Sequence, residues 1–490
     1  MIRAKKWGIS LKPRHGWFWV AAMSLLVFLM AVVAFLASDR GQHVVSEATS
    51  RSPQELIRYA QQRLEGHRAL EWLLLPGLHA LQRRWERSPP PGVLPTLGKG
   101  QQSVSTASAA SETGAVIRVD TAADIAQALL DSGPGTHIVI APGRYSFNKT
   151  LRLGRDGQAK APILVSALVP GSVQLDFTQV SGIQIDRPHW AFENLNIRGT
   201  CERDHDCEHA FHVVGAGAFT TLRNNLVQDF NAHIKVNGLN GEWPDHGLVA
   251  FNTLTNRATR QTDRPVVMLD LVGASHWKVQ DNLVTNFAKG QGNRVAYGLF
   301  MKGASEGGRI ERNLVICSPT DVSRPGERVG ISFGGGGTQP AAVCRSNGCA
   351  AFEHRHGLAA NNIVAHCNDA GLDINRASDI VLAHNTLINT AGVSARRSPT
   401  QGRLLSNLLE GNISARDGAA LNLELNVNEP ISQVFVNPDA LLLQWFEPPE
   451  TVPSRAFVTN DFRGLTRHDA TLPGALERDS AGRPAPFSSN

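Results

Sequence analysis

The sequence predicts an all-β solenoid, a single-stranded parallel β-helix. The main observation is a short phrase, an asparagine followed by two or three mostly apolar residues, that recurs from Asn194 to Asn407. Successive copies lie 22 to 31 residues apart, with one step of 49 residues, which indicates one supersecondary unit per repeat. The repeats show no helical period. The phrase begins at Asn194, Asn225, Asn252, Asn282, Asn313, Asn362, Asn385 and Asn407.

Two further observations agree with a solenoid. A chain of 490 residues is long for one globular core but ordinary for a fold that grows by stacking. Asparagine tolerates the left-handed turn conformation, and stacked asparagines can hydrogen-bond one another along an axis. We therefore expect a ladder of asparagines, one per coil.

The net charge of the chain comes from its first residues. The formal net charge is +5 and the sequence pI is about 9.0. Residues 1–16 hold five basic residues and no acidic one, so the rest of the chain is balanced. These residues predict a cytoplasmic leader, and the composition gives no indication of nucleic-acid binding. The basic residues are Arg3, Lys5, Lys6, Lys12 and Arg14.

Residues 17–37 predict a transmembrane signal anchor. They form a run of 21 uncharged residues, which at about 1.5 Å per residue spans a bilayer core of roughly 30 Å. The preceding basic residues place the N-terminus in the cytoplasm, and the rest of the chain in the periplasm, as a single-pass protein of the inner (cytoplasmic) membrane. A cleaved signal peptide is the alternative, but its apolar region should be shorter and no clear cleavage motif follows.

Residues 38–87 predict a helical stalk, and 88–115 a Pro/Ser/Gly-rich linker. Ser52 and Glu55 form a capping box, an apolar stripe follows, and a break is expected at Pro76-Gly77 before a second short helix. The basic segment 52–87 could lie on anionic headgroups, bind an envelope protein, or pack on itself.

The folded domain begins after the linker with a helix over 122–130, followed by the turn-strand-turn GPGTHIVIAPGRY at 133–145. This passage resembles the N-terminal cap of secreted pectin-lyase-like β-helix proteins. Residues 161–197 are similar to the chondroitinase B and alginate lyase branch, and 461–477 resemble the tail that closes such domains. The resemblance implies a right-handed β-helix over 116–435, and 436–490 as a tail that packs on or extends it.

One sheet face is the candidate site for an extended polymer. The strands that precede the asparagine phrases can be aligned on their closing residues, and alternation then sends every second side chain outward. The outward positions form two columns rich in polar groups. A solvated face with scattered charges is the alternative. The candidate substrate-binding residues are His212, His233, Lys235, Asn237, Asp270, Asp373, Asn375 and Arg396.

Lys302 is the candidate catalytic base. A lyase acting on a uronic-acid polymer must neutralise the C6 carboxylate, remove the C5 proton and expel O4, and a lysine can take that proton. In the resembled lyases a lysine at a strand end is the base, with an arginine one coil later. Lys302 matches the lysine, but the arginine position falls on Gly334. Val295, Ala296 and Tyr297 stand where those lyases place acidic ligands of Ca²⁺, so no cofactor is assigned, although Ca²⁺ is not excluded.

The 49-residue step holds an insertion with glycines at 334–337 and the run Glu353-His354-Arg355-His356. Glycines leave room for a backbone or a sugar to approach. Arg355 and His354 are therefore the candidates to replace the missing arginine. Alternatively, the glycines only accommodate the insertion, and the charged run packs it down.

Six cysteines in an exported domain should be oxidised. Cys201/Cys207 and Cys344/Cys349 are close enough for local bridges, and Cys317 and Cys367 fall near one point of neighbouring coils. His205, His209 and His212 invite a zinc site and the acids beside them a Ca²⁺ site. Alternation puts His209 and His212 on opposite faces, so no metal site is assigned. We expect the cluster from Glu242 to His246 to form the tip of a loop at the rim of the candidate polymer-binding face.

Two functions remain. The first is a membrane-anchored, periplasm-facing protein that acts on an acidic polysaccharide, as a lyase or an epimerase, through abstraction of the C5 proton. The second is a non-catalytic polysaccharide-binding or envelope-assembly protein on a lyase-like scaffold. Hydrolysis by paired carboxylates is disfavoured because Asp270 and Asp373 lie several coils apart. The sequence does not name the polymer.

Overall fold

The computed structural model of the protein describes Ala60, Leu64, 67–85, Gly98, 114–335, 344–345 and 351–478. In this part of the chain three parallel sheets stack into a β-helix, and each coil passes from sheet A to sheet B to sheet C. Sheet C has nine strands, one from each complete coil in the described residues. The right-handed parallel β-helix predicted from the sequence is confirmed.

The strands are short, and their bounds follow the repeat. Sheet A consists of Val116–Val119, His137–Ile140, Ile163–Ala167, Trp190–Glu193, Thr221–Arg223, Leu248–Ala250, Lys278–Gln280, Arg309–Glu311, Leu358–Ala360, Ile380–Ala383, Gln401–Leu405 and Ala420–Glu424. Sheet B consists of Gly143–Phe147, Val173–Phe177, Asn196–Gly199, Leu226–Gln228, Thr253–Thr255, Leu283–Thr285, Leu314–Ile316, Ile363–Ala365, Thr386–Ile388, Leu408–Leu409 and Val427–Asn428. Sheet C consists of Ser181–Ile185, His209–Val214, Ala232–Asn237, Val266–Val272, Val295–Lys302, Glu327–Phe333, Leu372–Asn375, Gly392–Arg396 and Asn412–Arg416. A short sheet D joins Ser305–Glu306, His354–Arg355 and Ala377–Ser378.

Two helices precede or cap the β-helix. Helix α1 (Arg68–Trp85) runs through Pro76, so the break expected there is wrong; a proline removes one backbone hydrogen bond and does not always end a helix. Helix α2 (Ala122–Asp131) is the expected cap: Thr121 Oγ1 accepts from the Asp124 N–H at 3.1 Å, and the helix buries one apolar face. The described residues include no helix long and apolar enough to cross a membrane. The predicted span at 17–37 lies outside them.

The asparagine ladder is confirmed and its register is corrected. From Asn225 to Asn407, each side-chain Nδ2 donates to the Oδ1 of the next asparagine at 2.8–3.1 Å. The ladder ends on Asn426, which the sequence reading missed. Asn194 is one residue out of register, because the backbone N–H of Leu195 donates to Asn225 and the Leu195 side chain is buried.

The left-handed conformation falls on the residue before each ladder asparagine and not on the asparagine itself. This explains why Asn194 resembles the ladder without belonging to it, since it occupies the left-handed position of its coil. The ladder asparagines are therefore selected for their paired hydrogen bonds and not for their backbone preference. The left-handed residues are Asn194, Asn224, Phe251, Asp281, Arg312, Asn361, His384, Ser406 and Leu425.

Disulfide bonds hold two of the longer loops between strands in place. Cys201 and Cys207 are bonded, with their Cα atoms 5.7 Å apart. Cys317 and Cys367 are bonded across neighbouring coils, with their Cα atoms 4.9 Å apart. Cys344 is also disulfide-bonded, and Cys349, its expected partner, lies outside the described residues.

The C-terminal segment packs on the outer faces of two sheets. It contains helix α3 (Ile431–Val434) and two antiparallel pairs, Phe435–Asn437 with Leu442–Trp445 and Val452–Pro453 with Ala470–Thr471. Phe462 and Leu443 pack in one cluster with outward side chains of sheet B such as Leu314. Val458 packs with outward side chains of sheet A such as Leu358. Neither cluster includes an outward side chain of sheet C among the described residues.

Candidate functional site

The outer face of sheet C carries the two predicted columns in the predicted register. Strand pairing places each residue of one coil beside its counterpart in the next. The face therefore brings most of the predicted polar side chains together on one surface. The first column runs His212, Lys235, Asp270, Phe300, Ser332, Asp373 and Ser394, and the second includes Asn237, Val272, Lys302, Asn375 and Arg396.

A carboxylate between two lysines lies in the middle of this face. Lys235 Nζ donates to Asp270 Oδ2 at 2.5 Å, and Lys302 Nζ lies 3.5 Å from Oδ1. The Asp270 side chain is only 6% exposed, whereas the lysines are 20% and 22% exposed. Burial raises the pKa of the Asp270 carboxyl, but Lys235 and Lys302 outweigh burial and hold that pKa well below its usual range. Counting one charge on each group, the cluster carries one net positive charge.

The two lysines are not equivalent. Lys235 forms a hydrogen bond with Asp270, whereas the Lys302 contact is longer and Oδ1 has no hydrogen-bond partner among the described residues. The Lys302 ammonium lies 4.2 Å from the centroid of the Phe300 ring. Lys302 thus makes fewer polar contacts than Lys235, and it lies beside the Phe300 ring, which is only 5% exposed.

Two histidines adjoin Asp270 on the N-terminal side. The rings of His209 and His212 are 4.9 Å apart, so the expectation that they point to opposite faces is wrong. Ala210 and Phe211 between them are both buried, because the strand bends and breaks the alternation. Burial lowers the pKa of His209 to about 3 and also lowers that of His212, whose Nε2 lies 2.9 Å from Asn237 Oδ1. Both rings are therefore neutral at pH 7.

A similar bend in the strand Val295–Lys302 turns Tyr297 to the outer face, and the sequence did not indicate Tyr297 as a site residue. Simple alternation along Val295–Lys302 sends Tyr297 inward, but its ring stacks on Phe300 at 4.4 Å between centroids. Burial and the nearby Asp373 raise the pKa of Tyr297, so the phenol stays protonated. Gly298 was the available signal, since a glycine inside a strand marks a bulge or a close backbone approach; its Cβ would lie 2.5 Å from the Gly330 carbonyl oxygen.

A second charged group lies towards the C-terminal end of the face. Arg396 donates to both oxygens of Asp373 at 3.1 and 3.2 Å, and Ser332 Oγ donates to Asp373 Oδ2 at 2.9 Å. The nearby Asp373 carboxylate raises the pKa of Arg396. Asn375 precedes Arg396 in the second column and is buried.

The arginine of the resembled lyases has no replacement beside Lys302 in the described residues. At Gly334 the backbone has φ +77°, and a Cβ would lie 2.1 Å from the Asn375 carbonyl oxygen, so no side chain fits. Arg355 donates to Glu306 on sheet D at 2.6 Å and covers the ring of Phe352. The contacts of Arg355 do not support the proposed replacement.

His354 is enclosed by its neighbours. It is fully buried, its ring stacks on Phe333 at 4.9 Å, and its Nδ1 lies 2.7 Å from Ser305 Oγ. Burial lowers the pKa of His354 to about 3. The structure therefore favours the alternative interpretation, in which this run packs the insertion down.

The insertion is anchored by an arginine that sequence reasoning did not single out. Arg345 Nη1 donates to both oxygens of Asp245 at 2.8 and 2.9 Å, and its guanidinium covers the Trp243 ring. The Arg345 backbone N–H donates to the Gly303 carbonyl, directly after Lys302. The cluster from Glu242 to His246 thus serves partly as the docking point of the insertion.

His233 is placed differently from its prediction as a substrate-binding residue. It is fully buried at the bend of its strand, and its Nε2 lies 2.9 Å from the Thr255 carbonyl oxygen. Because Ala232 and Ile234 keep the strand pairing on either side, the bend turns His233 inward. The predicted polar face therefore loses this member.

We expect the buried His233 to make stability depend on pH. Burial lowers its pKa from 6.5 to about 4, so the unfolded chain takes up a proton first as the pH falls. Its contribution is complete above pH 6.5 and is lost as the pH falls towards 4. In denaturant titrations across this range, His233→Gln should flatten the pH dependence. An unchanged slope in His233→Gln would contradict the assignment.

No group of three or more His, Cys, Asp or Glu side chains in the described residues is arranged to hold a metal ion. Around Cys201–Cys207 the charged side chains pair with arginines instead, as in the contact of Asp204 with Arg260 at 2.9 Å. The face of sheet C therefore offers lysines, an arginine and aromatic rings as its chemistry.

Fold and site together define a parallel β-helix protein with a cationic and aromatic face. No protein-family model matches the chain, and no curated protein matches it by sequence. Among solved structures it is similar to a pectate lyase, with a TM-score of 0.48 and 13% identity over 75% of this chain and 97% of that chain. It is also similar to a PL6 family polysaccharide lyase from Pseudopedobacter saltans, with a TM-score of 0.37 and 13% identity over 65% and 94% of the chains. The A-module of the Azotobacter vinelandii mannuronan C-5 epimerase gives a TM-score of 0.31 and 13% identity over 62% and 89%. These similarities concern the fold.

Proposed function

We propose that the protein acts on an acidic polysaccharide at the outer face of sheet C, as a lyase or epimerase that abstracts the C5 proton of a uronate. The observation that carries the proposal is the cluster in which Lys235 neutralises the buried Asp270 and leaves Lys302 beside Phe300. A base must be reached by the proton that it removes, and the Lys302 side chain is 22% exposed.

In this mechanism each group has one task. While Lys302 is still charged, the net positive charge of the cluster attracts the C6 carboxylate. After releasing its own proton to solvent, Lys302 takes the C5 proton, and the electron pair left on C5 forms the C4–C5 double bond as the C4–O4 bond breaks. Tyr297 gives its proton to the departing O4, because its raised pKa keeps it protonated. In an epimerase Tyr297 gives its proton to C5 from the face opposite Lys302, and the C4–O4 bond stays intact.

The proposal includes a location. The uncharged run at 17–37 and the basic leader before it support an inner-membrane anchor with the β-helix in the periplasm. The bilayer and the acidic polysaccharide are then the partners, and an envelope protein at 52–87 is a further candidate.

The non-catalytic alternative rests on Gly334. Because no side chain fits there, the arginine expected one coil after Lys302 is absent. A polysaccharide-binding or envelope-assembly protein would keep the cationic face without needing this group.

The test is a substrate panel of alginate, pectate, chondroitin and bacterial exopolysaccharides. For a lyase we expect ultraviolet absorbance of an unsaturated uronate, and for an epimerase exchange of the C5 hydrogen with deuterated solvent. Lys302→Ala should lower kcat by roughly 100-fold or more, whereas the exposed Lys160→Ala should not change it. Binding without product or exchange on every polymer would exclude the catalytic function for that panel and favour the alternative.

A further inference from the structure

A polar cavity lies on the outer face of sheet A. It forms where the C-terminal segment ends its cover of that sheet, and its volume is about 380 Å³, within the range of roughly 300–1,000 Å³ typical of small-molecule sites. Lys278, Gln280, Arg309 and Glu311 of two neighbouring strands form its floor. Residues 457–460 form one wall.

This wall is firmly held. Val458 is buried against outward side chains of sheet A, including Leu358. Asn361 Nδ2 donates to the Asn460 carbonyl at 2.7 Å, and the buried Arg467 donates to Asn361 Oδ1 at 2.7 Å. The cavity is therefore built by hydrogen bonds and packing from both of its sides.

The charged side chains that line the cavity include one more cation than the ion pairs neutralise. Arg309 and Glu311 form two hydrogen bonds at 2.8 and 2.9 Å, and Arg312 forms two with Asp281 at 2.9 and 3.0 Å. These pairs cancel. Lys278 is exposed and has no ion pair within the described residues. The lining thus carries one net positive charge, suited to a single carboxylate.

The remaining groups suit a sugar. Gln280 and Thr459 make no side-chain hydrogen bonds in the described part of the chain, so an amide and a hydroxyl are available for sugar hydroxyl groups. Phe457 is 43% exposed at the edge of the cavity and offers a flat apolar surface. A cation, an aromatic ring and free polar groups around one small cavity form a combination that recognises an acidic saccharide.

We propose that this cavity binds one acidic sugar unit, with its carboxylate on Lys278 and its ring against Phe457. The site is separate from the face of sheet C, and its occupation does not depend on catalysis there. A long polymer that engages both faces gains avidity without any new contact at the reacting sugar. The cavity then acts as an accessory binding site that holds the polymer on the protein.

The experiment is a ligand-observed NMR titration of the full-length protein with uronate disaccharides, galacturonate and mannuronate, which are too short to bridge the two sites. Lys278→Ala should weaken binding at the cavity roughly tenfold, because a charge-assisted hydrogen bond is lost. Phe457→Ala should weaken it as well. Lys149→Ala, an exposed lysine elsewhere, should leave binding unchanged. The carboxyl-reduced, neutral disaccharides should bind no better to the wild type than to Lys278→Ala.

The outcomes separate this inference from the proposed function. If Lys278→Ala and Phe457→Ala bind the disaccharides as the wild type does, the accessory site is overturned, whatever Lys302→Ala does. Equal binding of neutral and acidic disaccharides to the cavity also overturns it. If Lys278→Ala loses binding while Lys302→Ala changes neither binding nor turnover, the accessory site stands and the proposed function fails.

Discussion

Asp270→Ala is expected to lower the free energy of unfolding by about 3 kcal/mol, because removing one partner leaves buried charges unpaired. Asp270 is the common partner of Lys235 and Lys302, and no other acidic group within the described residues forms an ion pair with either lysine. The estimate is at the lower end of the range for buried pairs because each lysine keeps about a fifth of its side chain exposed. The variant should also lose activity, since Lys302 loses the carboxylate that positions it.

The matched control is Asp156→Ala. Asp156 is 60% exposed and lies 3.6 Å from Arg187, so its loss should cost less than about 1 kcal/mol. Combining Asp270→Ala with Lys235→Met should recover part of the stability, because one unpaired charge is removed. Denaturant unfolding measures each value. Equal stability of Asp270→Ala and the wild type would mean that the lysines reach solvent without cost, and the cluster would not be preorganised.

The register of the outer face of sheet C could be predicted because alternation and the asparagine phrase are local patterns. Lys235, Asp270 and Lys302 were placed together from spacing alone, and strand pairing confirms their register. The bend in the strands of sheet C could not be predicted from these local patterns. It interrupts the alternation, and it turns His233 inward and Tyr297 outward.

The contacts of the insertion were beyond sequence reasoning for a different physical reason. Arg345 and Asp245 are 100 residues apart, and no periodicity relates an insertion to the loop on which it docks. His354 and Arg355 looked available because charged residues are usually exposed, yet Ser305 and Glu306 on sheet D engage them. The accessory cavity depends in the same way on where the C-terminal segment crosses sheet A.

Asn313→Ala is the second large effect, with an expected loss of about 3 kcal/mol in the free energy of unfolding. The Asn313 side chain donates to Asn362 Oδ1 and to the carbonyls of Val279 and Glu311, and its Oδ1 accepts from the backbone and side chain of Asn282. Removing it leaves several buried polar groups without partners, and each unsatisfied group costs about 1–3 kcal/mol.

The control is Asn426→Ala at the end of the ladder, where the side chain is partly exposed and water can replace the lost partner. Its cost should be about 1 kcal/mol. Because each coil of a solenoid contacts only its neighbours, a lesion at Asn313 should divide the unfolding transition, whereas one at Asn426 should only fray the end. Hydrogen exchange of the flanking strands distinguishes the two cases, and equal protection in both variants would contradict a ladder that couples one coil to the next.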